Sequence, residues 1–217
     1  MNILAIETAT PVASVAVKAG DRIFERRLED PAARAEGVLD LLGSLLLEAE
    51  VDLGAIEAIA FGRGPGSFTG LRVAAAVAQG LAYAKGLPVI PISSLAALAQ
   101  EAPGTEILAA IDARRDEIYY GFFRRSDEGL VEPVGPERVG LPSSISRPGG
   151  AYMGVGSGFD RYAGLLRELC GIPYEPHKMP GARAVVVLAE RAFMQGAWVT
   201  PSHALPVYLR DDVARPG

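Results

Sequence analysis

Residues 61–72 read Phe-Gly-Arg-Gly-Pro-Gly-Ser-Phe-Thr-Gly-Leu-Arg, placing four glycines and a proline between an apolar run and a long alanine-rich pattern. Upstream, Ile56, Ala58 and Ala60 alternate with Glu57, Ile59 and Phe61, as in a mostly buried strand that ends at Gly62. Downstream, residues 71–85 contain no proline and stop at Gly86 with Pro88 beyond, the order of helix C-terminal signals. Ser67 or Thr69 can cap the first free N–H groups of that helix. A chain with this unit folds with a helix laid closely on a strand.

Such a turn aims backbone N–H groups and a helix dipole at one point, which favours anions. The spacing fits neither common phosphate loop. A Walker loop needs Lys-Ser/Thr after its last glycine, where this chain has Leu71 and Arg72, and a dinucleotide fingerprint needs its third glycine one position before Gly70. The turn therefore reads first as tight helix-on-sheet packing and only second as a phosphate site.

Around this unit the pattern is strand, strand, strand, helix. Residues 2–7, 12–18 and 22–29 form a meander whose third strand is the most exposed. Asp30 and Pro31 are placed as N-cap and first residue of a helix on which Val38, Leu41, Leu42, Leu45 and Ala49 recur at helical spacing. Leu39, Leu46 and Leu47 widen that stripe beyond what one sheet contact requires. After the glycine turn come a strand at 89–92, a helix at 95–100 and a natural boundary at 102–105. Leu108-Ala-Ala-Ile-Asp112 then repeats Ile3-Leu-Ala-Ile-Glu7, each copy ending in a carboxylate and leading into a hairpin. Two related lobes are expected, residues 1–103 and 104–217, with the tail from about 205 returning to the first. In the second lobe, a strand at 117–125 is followed by loop from 129 to 148 with one edge strand near 130–134. A strand at 151–155, a turn at 156–158, a helix burying Tyr162, Leu165, Leu166 and Leu169, and a helix at 182–195 complete it.

The 217 residues, 49% hydrophobic and 22% charged, suffice for a sizeable core and leave little room for disorder. A net charge of −5 argues against a free-standing nucleic-acid binder, although Arg26-Arg27, Arg114-Arg115 and Arg124-Arg125 offer local patches. The single cysteine, Cys170, forms no intrachain disulfide and reads as a buried helix end, which suits a cytoplasmic setting. Glu7 interrupts the first apolar run, so it is no signal peptide, and no stretch approaches the roughly 20 uncharged residues of a membrane span.

No catalytic constellation emerges. His177 and His203 are the only histidines, both in proline-containing segments that read as surface loops, so no metal site is expected. Ser67 lies outside a Gly-x-Ser-x-Gly elbow, and nothing activates Cys170.

Gly62-Arg-Gly-Pro-Gly-Ser-Phe-Thr-Gly-Leu-Arg72 resembles the signature of the TsaB (YeaZ-type) family, accessory subunits in making threonylcarbamoyladenosine next to the tRNA anticodon. Asn2-Ile-Leu-Ala-Ile-Glu-Thr-Ala-Thr10, Ala109-Ala-Ile-Asp-Ala-Arg114 and Pro206-Val-Tyr-Leu-Arg210 resemble the same family in the same order. The resemblance implies an actin-like, two-lobed α/β fold of the sugar kinase and heat-shock ATPase class. It also implies a non-catalytic scaffold that pairs with a metal-bearing TsaD-type paralogue and a TsaE-type ATPase, forms a homodimer when alone, and meets tRNA only through the complex. The paralogue's metal-binding His-x-x-x-His has no counterpart in residues 90–99, which hold no histidine. In actin-like kinases an acid ends the first strand of each lobe, which points to Glu7, Thr8, Thr10 and Asp112 as vestigial phosphate-site positions. No lysine accompanies them, and Gly154-Val-Gly-Ser-Gly158 serves equally as a strand-to-helix turn, so no cofactor is expected in the isolated chain.

A partner surface is expected on the two helices of the first lobe. Ala74, Ala78 and Ala82 form one i, i+4 row and Ala76, Gly80 and Ala84 another, more small-residue surface than one sheet contact uses. Val38, Leu41, Leu42, Leu45, Ala74, Val77, Ala78 and Leu81 are the candidate interface residues, with Ala78→Arg or Leu42→Glu as probes if solvent-facing. Three other classes remain open: an independent actin-like ATPase or phosphotransferase, a metallopeptidase-like protein, and a homodimeric module unconnected with tRNA.

Overall fold

The computed structural model describes residues 1–29, 34–146 and 149–210, with the side chains of residues 34–36, 169 and 170 outside the description. The expected caps Asp30 and Pro31 and the burial of Cys170 lie outside the described residues. Strands β1 (Ile3–Glu7), β2 (Ala13–Ala19) and β3 (Arg22–Leu28) form the meander, followed by α1 (Arg34–Ala49), β4 (Ala58–Gly64), α2 (Phe68–Lys85) and β5 (Val89–Ser93). Their sheet has the order β3-β2-β1-β4-β5, with β1 antiparallel to β2 and parallel to β4. The chain continues through α3 (Ser94–Gln100), β6 (Glu106–Arg114), β7 (Glu117–Arg125), β8 (Val131–Pro133), β9 (Arg138–Gly140), β10 (Tyr152–Val155), α4 (Ser157–Cys170), β11 (Tyr174–Glu175) and α5 (Ala182–Met194). The second sheet runs β11-β10-β6-β7-β8, with β9 also on β7. Its centre repeats that of the first: β6 is antiparallel to β7 and parallel to β10. The two-lobed, actin-like α/β class expected from the sequence is the one observed.

Alternation along the strands sorts side chains to two faces. On the first sheet Leu4, Ile6, Val15, Val17, Ile59 and Phe61 point toward α1 and α2, which bury Val38, Leu42, Leu45, Ala74, Ala78 and Ala82 against them. The opposite face is built of small residues, Ala5, Ala16, Ala58 and Ala60 with Ile3 and Ile90, and receives Ala182, Val185, Val186 and Ala189 of α5. On the second sheet Ile107, Ala109, Ile111 and Phe123 meet Leu95, Leu98 and Ala99 of α3, while Leu108, Ala110 and Tyr120 meet Phe159 and Leu166 of α4.

Two expectations need correction. The division at 103/104 follows the sheets but not the helices: α3 precedes it yet covers the second sheet, and α5 follows it yet covers the first. A helix's apolar stripe says that a face is buried, not on which sheet. Among the interface candidates, Val38, Leu42, Leu45, Ala74 and Ala78 lie in the core, because the sheet beneath α1 and α2 takes up those rows. Leu41, Val77 and Leu81 are half-buried. Neither Ala78 nor Leu42 faces solvent.

Candidate functional site

The glycine turn forms as the sequence predicts. Ser67 is the N-cap of α2, its side chain accepting from the Gly70 N–H, and the helix ends at Gly86 in the left-handed region at φ 66°. The loop before it folds back on the β1–β2 turn, where the Ser67 N–H donates to the Ala9 carbonyl at 2.7 Å. A Cβ at Gly66 would lie 2.5 Å from that carbonyl oxygen, so only glycine lets the two loops meet. The Ser67 N–H, which a phosphate would need, is thus committed to the protein itself.

Glu7, at the end of β1, is fully buried. Its Oε1 accepts from the Ala9 N–H at 2.7 Å and its Oε2 from the Ser94 hydroxyl at 2.8 Å, which ties β1 to the start of α3. The carboxyl fills the space beside Gly62, where a Cβ would sit 2.0 Å from Oε2. Burial raises its pKa from 4.5 to about 7, against the opposing pull of the Ala9, Ser94 and Thr8 hydrogen bonds. Thr8 is buried too, its hydroxyl donating to the Gly70 carbonyl at 2.7 Å. Two of the four expected phosphate-site positions therefore turn inward beneath the glycine loop.

The other two, Thr10 and Asp112, line a cleft of about 480 Å³ between the lobes. Pro65, Gly66, Ser67 and Phe68 form its first-lobe wall; Asp112, Arg114, Arg115, Tyr119 and Ser157 form the second; Val207, Tyr208 and Arg210 of the tail complete it. Asp112 accepts from the Arg114 N–H at 3.0 Å and lies 3.5 Å from the Arg161 guanidinium, and its own N–H donates to Ser157 at 3.1 Å. Beside it, Arg114, Arg115 and Asp116 have φ of 62°, 54° and 58°, three consecutive left-handed residues, each costing on the order of 1 kcal/mol. No lysine lines the cleft among the described residues. The Gly154–Gly158 run is a strand-to-helix turn, since a Cβ at Gly156 would lie 2.4 Å from the Ala110 carbonyl oxygen.

Both histidines are exposed, His177 on a loop and His203 at the end of a 3-10 turn over Pro201–His203: the His177 N–H donates to the Asp160 carboxylate and His203 contacts Thr200. Among the described residues no three His, Cys, Asp or Glu side chains are grouped to hold a metal, and no helix is long and apolar enough to cross a membrane. Sequence reasoning does not reach Ser94, whose partner Glu7 is 87 residues away, although its neighbour Ser93 is legible as the N-cap of α3. Nor does it reach Glu137, which links the second lobe to Ser93 and Arg63.

The outer faces of α1 and α2 are the second candidate site. Leu39 and Leu47 on α1 and Phe68 and Tyr83 on α2 are exposed, Leu47 at 82% and Tyr83 at 84%. The two small-residue rows of α2 separate: Ala74, Ala78 and Ala82 face the sheet, whereas Ala76, Gly80 and Ala84 face solvent.

The family model described as TsaD, tRNA N6-adenosine threonylcarbamoyltransferase, matches residues 32–147. A relative from Escherichia coli (strain K12) named tRNA threonylcarbamoyladenosine biosynthesis protein TsaB is 35% identical, over 99% of this chain and 96% of its own length. The protein of the same name from Haemophilus influenzae is 32% identical over 98% and 95%. The solved structure named YeaZ from Pseudomonas aeruginosa has a TM-score of 0.88 and 37% identity, covering 96% of this chain and 99% of that one. Another Pseudomonas aeruginosa structure, described as similar to peptidase YeaZ, reaches a TM-score of 0.91 with the same identity and coverage. With likeness at this level along nearly its whole length, the chain belongs to the TsaB (YeaZ) family.

Proposed function

We propose that the chain is a non-catalytic scaffold in tRNA threonylcarbamoyladenosine biosynthesis. It pairs with a TsaD-type paralogue, works with a TsaE-type ATPase, meets tRNA only within that assembly, acts in the cytoplasm and dimerises with itself when alone. The observation that carries this reading is the fate of the strand-end acid. An actin-like phosphotransferase needs that carboxylate in the cleft, and here Glu7 is buried in hydrogen bonds to Ala9 and Ser94. The carboxylate left in the cleft lining, Asp112, is engaged by Arg161.

The partner surface is assigned to the outer face of α2 around Ala76, Gly80 and Ala84, flanked by Val77, Leu81 and Tyr83, together with Leu39, Leu41 and Leu47 of α1. Small residues let another backbone approach closely, and the exposed leucines and tyrosine supply apolar area. Reconstitution with the paralogue, the ATPase, an unmodified tRNA and an activated threonylcarbamoyl donor tests the reading by nucleoside analysis. Modified adenosine is expected only when all three proteins are present, with no phosphate released from ATP by this chain alone. ATP turnover by the isolated chain that Asp112→Asn abolishes would replace the scaffold by an enzyme.

A further inference from the structure

The residues after α5 do not simply trail from it. Val199 pairs with Val89 on β5, and the chain then runs beside α2, where the Gln79 side-chain amide donates to the Ala204 carbonyl at 3.1 Å. The Val207 N–H donates to the Arg63 carbonyl at 2.8 Å. Its own carbonyl oxygen lies 3.0 Å from where a Cβ at Gly64 would stand. Tyr208 packs on the Phe68 ring with centroids 5.5 Å apart, and the Arg72 guanidinium lies 3.9 Å from that ring. All these contacts are with the first lobe. Arg210 then crosses to the second, where its guanidinium donates to the Ala113 carbonyl at 3.2 Å and pairs with Glu117, at either side of the β6–β7 turn.

The geometry points to a strap: residues 204–210 span the two walls of the cleft and hold it at its present opening, and the strap releases at Arg210 rather than at Val207. The first-lobe end is held by backbone hydrogen bonding and aromatic packing, which change little with salt. The second-lobe end is one long side chain whose ion pair is partly exposed, 19% for Arg210 and 31% for Glu117, and is therefore screened by salt. The turn that receives it carries the three left-handed residues Arg114, Arg115 and Asp116, so a freed turn has unfavourable backbone angles to relax. Other ties between the lobes, among them the contact of α3 with α5, the Arg191 ion pairs with Glu128 and Glu132, the Glu7–Ser94 bond and the reach of Glu137 to Ser93 and Arg63, do not involve that turn.

Amide hydrogen exchange on the full chain, read by mass spectrometry, tests this directly. In Arg210→Ala the amides of residues 113–117 are expected to exchange about tenfold faster, the change for losing one charge-assisted hydrogen bond, with the Val207 amide unchanged and the melting temperature lowered by only about 3–6 °C, the share of that one bond. Glu117→Gln, which keeps the shape and removes the charge, is expected to loosen the same turn. Raised salt is expected to do so in the unaltered chain, a response that mere loss of packing would not show. If residues 113–117 keep their protection in Arg210→Ala, or if Val207 loses protection along with them, the strap is not hinged at Arg210 and the proposal fails.

Discussion

Glu7 exchanges water for neutral donors and a glycine-lined niche, and the cost is visible as a pKa raised from 4.5 to about 7. Because the folded chain holds the proton more tightly, this group costs nothing below pH 4.5, where both states are protonated. Stability falls as pH rises from 4.5 to about 7, while the unfolded chain ionises ahead of the folded one, and is flat above that. The loss across the window is about 3 kcal/mol. Glu7→Gln removes it, since the new carbonyl can accept from Ala9 and the new amide can donate to Ser94. Denaturant midpoints of the two proteins at pH 4.5 and pH 8 are expected to diverge in favour of the variant at the higher pH. Parallel profiles would show that Glu7 titrates normally.

At the scale of elements, α1 and α2 each carry two apolar stripes, and burial separates them. Leu42→Glu or Ala78→Arg places a charge under a helix and is expected to cost roughly 3 to 5 kcal/mol, enough to abolish a cooperative melt. Leu47→Glu and Tyr83→Glu act on the outer face and are expected to leave stability within about 0.5 kcal/mol while dissociating the proposed dimer in light scattering. A dimer that survives both outer substitutions places the surface elsewhere. The existence of these helices was legible, because heptad-like leucines and a glycine stop are local signals. Which stripe meets the sheet was not, since Leu42 and Leu47 are equally apolar in sequence and differ only by rotation about the helix axis. The short strands β9 and β11 left no readable pattern, three and two residues being too few for an alternation. In the cleft, Thr10 and Asp112 were legible from the strand-end pattern, whereas the burial of Glu7 depends on Ser94 and the absence of a side chain at Gly62, both distant in sequence.

The whole molecule is two lobes that have exchanged helices. Leu188 of α5 packs against both the core of the first sheet and that beneath α3, joining the lobes at that contact. Neither half of the chain is then expected to stand alone: residues 1–103 lack α5, leave Ile3, Ala5 and Ile90 uncovered, and should bind a hydrophobic dye without a cooperative thermal transition. A sharp transition from that fragment would show that the first lobe closes its core unaided. The exchange also has a consequence in time. A ribosome makes strand β1 long before helix α5, so at about 5–20 residues per second the face of β1 waits on the order of 10–40 s for its cover. During that interval the growing chain presents a strip of small apolar side chains to solvent, and its first lobe becomes final only once α5 has been made.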